Sequence, residues 1–167
     1  MAIKSYPSVG EAYADVTFAL GFALTQWHTI EHKLYQLFVY LCGNSDEKAL
    51  NAIFHEMPLE SRLRALTELV RLRDEKSLSA WDDVLKQVTK QKRLRDKLAH
   101  WTVETGPHKD GGFTAWLSPP STDERAKIVF ENVQNALGAD DLKIKCMEFL
   151  AASHAIHGFM MVFPKIA

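Results

Sequence analysis

The sequence predicts an all-α protein, an up-and-down bundle of four to five helices with a small β-hairpin inserted before the last helix. Three observations lead there. Apolar residues recur at helical spacing over most of the 167 residues. The stretch Ser79–Thr102 carries that spacing without a single Gly or Pro. The periodicity breaks only at about 105–131, where turn residues and short β-prone runs take over. Short links between consecutive helices favour antiparallel neighbours, hence the up-and-down arrangement. A chain of this length is expected to form a single domain over 1–167, burying roughly two-thirds of its unfolded surface without staples.

Ser8-Val9-Gly10-Glu11 has capping-box spacing and opens a helix that runs to about Cys42, where Gly43-Asn44 stops it. Tyr13, Val16, Leu20, Ala23, Trp27, Leu34, Phe38 and Leu41 share its apolar stripe, and Gly21 within it marks a kink or a close contact. Asn44 to Glu47 start a second, short helix ending near Glu56, with Leu50, Ile53 and Phe54 inward. Pro58 suits the first position of a third helix, 58–75, which turns Leu59, Leu63, Leu66 and Val70 to one face. Arg62, Arg64, Arg71 and Arg73 are interspersed with acids there, the pattern of a solvated surface.

The fourth helix is Ser79–Thr102. Beyond it, Gly106-Pro107 and Lys109 to Gly112 signal turns, and Phe113–Leu117 and Lys127–Phe130 read as a hairpin. Trp101–Glu104 is a candidate third strand, and Asn132–Leu137 a candidate helical turn. The final helix spans about Asp140 to Phe163, with Leu142, Cys146, Phe149, Leu150, Ile156, Met160 and Phe163 buried.

Composition is that of an ordinary soluble globular protein, 47% hydrophobic and 25% charged. A net charge of −1 offers no global field for a polyanion. Charge is concentrated locally instead: residues 86–97 hold six Lys or Arg and one Asp, a net +5. Cys42 and Cys146 are far apart in apolar patterns and read as buried thiols of a reducing compartment. No cleavage signal follows the apolar run Val16–Leu24, and Glu148, His154 and His157 interrupt the run Cys146–Phe163. The expectation is therefore a cytoplasmic protein without a membrane span.

No glycine-rich phosphate loop, nucleophile elbow or zinc-finger spacing occurs. His28 with His32, and His154 with His157, each present two imidazoles at helical spacing, yet no further ligand completes a set, so neither metal nor cofactor is expected.

What stands out is the fourth helix. Trp81, Val84, Val88, Ala99 and Thr102 fall within about 40° of one line, and Arg95 falls on that line too. Lys86, Lys90, Arg93 and Lys97 collect opposite, as on any solvated face. An arginine within an apolar stripe is costly unless its donors meet a carboxylate, a phosphate or backbone oxygens. His100 follows five residues later at the stripe's edge, with Asp96 between them. A guanidinium that holds a phosphate beside an imidazole that moves protons suits phosphodiester chemistry. The plainer alternative is a histidine capping helix-end carbonyls and an arginine in a structural ion pair. Glu31 lies on the apolar stripe of the first helix. It either neutralises Arg95, shares its site, or reaches water at the stripe margin.

Arg95-Asp96-Lys97-Leu98-Ala99-His100, followed by Trp101, resembles the R-x(4–6)-H signature of the HEPN superfamily of small helical-bundle proteins. The order of elements is similar too: a long first helix with Trp27, Ile30, Glu31 and Leu34, a short one ending Ala52-Ile53-Phe54, and a third after Pro58. Many members carry Asn directly after the Arg, where this chain has Asp96. The resemblance implies a metal-independent endoribonuclease of toxin or defence type acting as a homodimer. His100 would be the acid/base, Arg95 the phosphate holder, and Asp96 the residue that orients His100 or raises its pKa. Lys92, Arg93, Lys97 and Glu31 would line the RNA-binding surface, and an antitoxin or other protein partner is in keeping with the family. The alternative it leaves open is a non-catalytic dimerisation or regulatory module.

Overall fold

In the computed structural model, residues 4–43, 46–119 and 136–164 are described. Among the described residues there are five α-helices: α1 (Val9–Cys42), α2 (Glu47–Glu56), α3 (Leu59–Arg73), α4 (Leu78–His100) and α5 (Ala139–Val162). Two antiparallel strands, β1 (Thr102–Pro107) and β2 (Phe113–Ser118), precede the last helix. This is the expected helical architecture with its hairpin. Among the described residues no helix is long and apolar enough to cross a membrane.

The residues group into two units, Met1–Gln26 with Lys92–Glu148, and Trp27–Gln91 with Phe149–Ala167. In the first, the Ser8 hydroxyl caps α1 by accepting from the Glu11 N–H at 3.2 Å. Ala12, Val16, Ala19 and Ala23 are buried from α1, Leu98 from α4, and Leu142 and Cys146 from α5. Tyr13 is exposed, because the inward position falls to Ala12 one residue earlier. Gly21 faces open space, so neither a close contact nor packing requires it.

β2 is the central strand of this unit. Its partner is β1, with Val103 opposite Leu117 and Thr105 opposite Ala115. The segment expected as a third strand is thus the hairpin's other arm, while Lys127–Phe130 lies outside the described residues. On its other edge β2 is bridged by Tyr6 at Phe113 and by Leu137 at Leu117. Leu137 is therefore extended rather than part of a helical turn; residues 132–135 lie outside the description. Thr114, Ala115, Trp116 and Leu117 are all buried, as a strand covered on both faces must be. Gly112 has φ +78°, and a Cβ there would lie 2.5 Å from the Tyr6 carbonyl oxygen, so the Tyr6 bridge depends on glycine.

In the second unit α1 contributes Trp27, Ile30, Leu34, Leu37, Phe38 and Leu41 to a core shared with Phe54, Leu63, Leu66, Val70, Trp81, Val84 and Val88. Trp27 meets Phe149 edge-on at 5.9 Å, and Trp81 meets Phe159 at 5.5 Å. Ile53 points outward and only Phe54 of α2 is fully buried. Asp46 caps α2 by accepting from the Ala49 N–H at 3.1 Å. Pro58 is the N-cap of α3 rather than its first helical residue, and its carbonyl accepts from Ser61 and Arg62. Cys146 is buried, as expected, whereas Cys42 is only half-buried; burial pushes both thiols up.

Two arginines of α3 are not the solvated decoration that their mixed-charge surroundings suggest. Arg62 is only 12% exposed, donates from Nε to the Met57 carbonyl at 2.8 Å and from Nη2 to the His55 carbonyl at 2.9 Å, and lies 5.0 Å over the Phe54 ring. It closes the C-terminal end of α2, where unpaired carbonyls attract a cation. Arg73 does the same for α1, donating from Nε to the Leu41 carbonyl at 3.0 Å.

Candidate functional site

α4 forms because its apolar residues keep a step of three or four and nothing interrupts them. Trp81, Val84, Val88, Gln91 and Leu98 are its buried positions. Arg95 falls four residues after Gln91 and three before Leu98, on the same line, as the sequence suggests. Ala99 is exposed, and Thr102 has left the helix to start β1, so the stripe closes on Leu98 instead. The difference arises because the buried line follows a step nearer 3.5 than 3.6 residues, which shifts the stripe by about one position over two dozen residues.

The Arg95 side chain remains 40% exposed. A long side chain at the end of a buried line escapes by carrying its charge past the apolar edge while its methylenes cover the core. Its Nη1 donates to Asp96 Oδ1 at 3.2 Å. Lys92, one turn earlier, donates from Nζ to Asp96 Oδ2 at 3.1 Å. Asp96 therefore sits between two cations, one on each oxygen. Burial alone would raise its pKa, but the hydrogen bonds from Lys92 and Arg95 prevail and hold the carboxyl below the usual range. Asp96 is thus ionised at neutral pH, with Lys92 and Arg95 as its partners.

Arg93, Lys97 and His100 are exposed on the same last turns. His100 is the final residue of α4, and the helix is closed by the Trp101 N–H donating to the Lys97 carbonyl at 3.0 Å. His100 follows Arg95 by about 140° around the helix and roughly 7.5 Å along it. A substrate touching both must span the helix end, or meet one group from each of two copies.

Glu31 belongs to the second unit. It accepts from His28 Nδ1 at 3.1 Å and pairs with Arg62 Nη1 at 3.8 Å, so the half-buried carboxylate of α1 has an arginine of α3 as its cation. Sequence reasoning missed that Arg62 holds a helix end. The available signal was its place four residues after the Pro58 break, where a side chain reaches back to the last carbonyls of α2. The paired histidines His28, His32, His154 and His157 are exposed, and among the described residues no group of three His, Cys, Asp or Glu is placed to hold a metal.

The first unit holds a second polar cluster. Tyr6 Oη donates to Asp15 Oδ2 at 2.6 Å, and Lys4 and Lys143 pair with the same carboxylate at 3.3 and 3.9 Å. The Tyr6 hydroxyl holds the Asp15 carboxyl below its usual range. Burial, with Asp15 beside it, pushes the Tyr6 hydroxyl well above its own. The cluster ties the chain entry to α1 and α5. Comparison with family models, with curated proteins and with solved structures finds no match to this chain.

Proposed function

We propose that the chain is a HEPN-like, metal-independent endoribonuclease, an up-and-down bundle that acts as a cytoplasmic homodimer with the end of α4 at its two-fold axis. The observation that carries this reading is the accessible Arg95 guanidinium, held at the surface by a helix whose buried line it continues, with His100 exposed on the last turn. Two copies about a two-fold would supply two imidazoles and two guanidinia to one cleft. One neutral His100 takes the proton of a ribose 2′-OH, and that oxygen attacks the adjacent phosphorus. The protonated His100 of the other copy gives its proton to the departing 5′-oxygen, leaving a cyclic phosphate and a 5′-hydroxyl. Arg95 neutralises the charge that gathers on the phosphoryl oxygens. Lys92, Arg93 and Lys97 hold the backbone, so binding weakens steeply with salt. Glu31, engaged by Arg62 and His28, serves packing in this scheme.

A second reading is favoured by one observation, the ion pair that ties Arg95 to Asp96. With its guanidinium so occupied the same fold serves as a non-catalytic dimerisation or regulatory module, docking an antitoxin or another protein. The two readings separate on mixed single-stranded RNA incubated with the protein in EDTA, beside His100→Ala and Arg95→Ala. The nuclease cuts RNA, and both variants lose at least a hundredfold in rate. Intact RNA with all three proteins leaves the interaction module, and cleavage only with added divalent metal discards proton transfer by His100.

A further inference from the structure

Three of the four tryptophans are sealed in the protein: Trp27, Trp81 and Trp116 are all buried. Trp101 is only half-buried, and it stands directly after His100. Its backbone is pinned on both sides. The N–H donates to the Lys97 carbonyl at 3.0 Å, and the next residue, Thr102, opens β1 opposite Ser118. An indole mounted between a helix end and a paired strand is held in place before anything packs on it, so a ligand that covers the ring loses little affinity to ordering it.

Steps of four along α4 put Arg93, Lys97 and Trp101 in one row on its surface, each about 6 Å beyond the last. Arg93 and Lys97 are exposed. Among the described residues neither is paired with an acid, whereas Lys92 and Arg95 share Asp96. The row therefore runs from two uncompensated cations to an aromatic ring. His100 lies three residues after Lys97, so it neighbours that lysine on the side next to Trp101. Cations suit the phosphates of a nucleic-acid strand, and a flat ring suits the face of a base. A duplex gains only half of this arrangement, because its base faces already stack on one another. An acidic peptide would engage the two cations and leave the ring unused.

We infer that Trp101 is the stacking platform for an unpaired base beside the scissile phosphate, which confines the substrate to single-stranded RNA. The platform rests on the proposed RNA site at the end of α4. The probe is a short oligodeoxyadenylate, which carries bases and phosphates but no 2′-hydroxyl and so stays uncut by the unaltered protein. An abasic strand of the same length and charge is its control. Intrinsic fluorescence reads the contact directly, since the other three indoles are buried. The oligodeoxyadenylate is expected to quench it, and the abasic strand and a duplex of the same sequence to leave it unchanged. By anisotropy, Trp101→Ala is expected to bind the oligodeoxyadenylate about 5- to 150-fold more weakly, the loss of one stacked base. Its dependence on salt stays the same, because no cation has gone, and Trp101→Phe restores most of the affinity. Equal binding of the base-bearing and abasic strands, fluorescence unmoved by the oligodeoxyadenylate, or an unchanged affinity in Trp101→Ala each overturns the platform. Cleavage of RNA in EDTA is scored separately. Base-dependent binding without cutting keeps the platform and removes the nuclease, whereas cutting by a protein that binds both strands alike keeps the nuclease and removes the platform.

Discussion

Arg95 Nη1 donates to Oδ1 of Asp96, the next residue in the chain, at 3.2 Å. Lys92 holds the other oxygen of the same carboxylate. The cations proposed to receive a phosphate therefore already share an anion. A phosphate arriving at this helix end competes with Asp96, and the outcome sets how strongly RNA is held. Both ion pairs are partly exposed, so each contributes only a fraction of a kcal/mol, up to ~1, and displacement is feasible.

Asp96→Asn removes the competitor and keeps the shape. Affinity for single-stranded RNA is expected to rise about three- to tenfold, a change of roughly 0.6–1.4 kcal/mol. Fluorescence anisotropy at two salt concentrations measures it, and the gain should shrink as salt rises. Equal or weaker binding by the variant would show that Asp96 supports the phosphate site rather than opposing it.

Tyr6 and Asp15 make stability depend on pH at both extremes. The carboxyl of Asp15 is lowered in the folded protein, chiefly by the Tyr6 hydroxyl. Its contribution is complete above the ordinary carboxylate value and is lost as pH falls through the lowered one. The Tyr6 hydroxyl is raised by burial and by Asp15, so its contribution is complete below about pH 10 and is lost as pH climbs through the raised value. Tyr6→Phe is expected to cost about 1.5 kcal/mol near neutrality and progressively less at either extreme. Urea midpoints across the pH range test this; a penalty that is the same at pH 2 and pH 7 would assign it to packing.

Arg62→Ala should unfold the protein more readily than any other single arginine-to-alanine change in α3. It leaves the His55 and Met57 carbonyls without their donor and removes the cation over Phe54. The expected loss is about 2 kcal/mol, or roughly 4–8 °C in melting temperature. Arg62→Lys should recover little, because one ammonium cannot reproduce the two-pronged contact. Arg64→Ala is the control, since that side chain is exposed. Glu31→Gln breaks only the 3.8 Å contact to Arg62 and the exposed His28 pair, and should cost less than about 1 kcal/mol.

The elements were legible because their signals are local. Ser8 and Asp46 cap their helices through side chains three residues from the N–H they bind, and Gly111, with φ +90°, turns the chain by its own backbone freedom. The Arg95, Asp96 and His100 segment was visible for the same reason: one helix fixes their spacing. Ala99 was misplaced by a single helical step, since a wheel drawn from one residue drifts as the buried line of α4 departs from 3.6, and Thr102 because the chain has left the helix there to start β1.

By itself the sequence determined where α1 and α2 start and stop, which turn needs glycine, and that a lone arginine continues an apolar line. Only the tertiary structure decided what Arg62 and Arg73 hold and which edge of β2 receives Tyr6. Those are questions about neighbours distant in the chain. An arginine on a charged helix has the same local pattern whether it meets water or another helix's carbonyls.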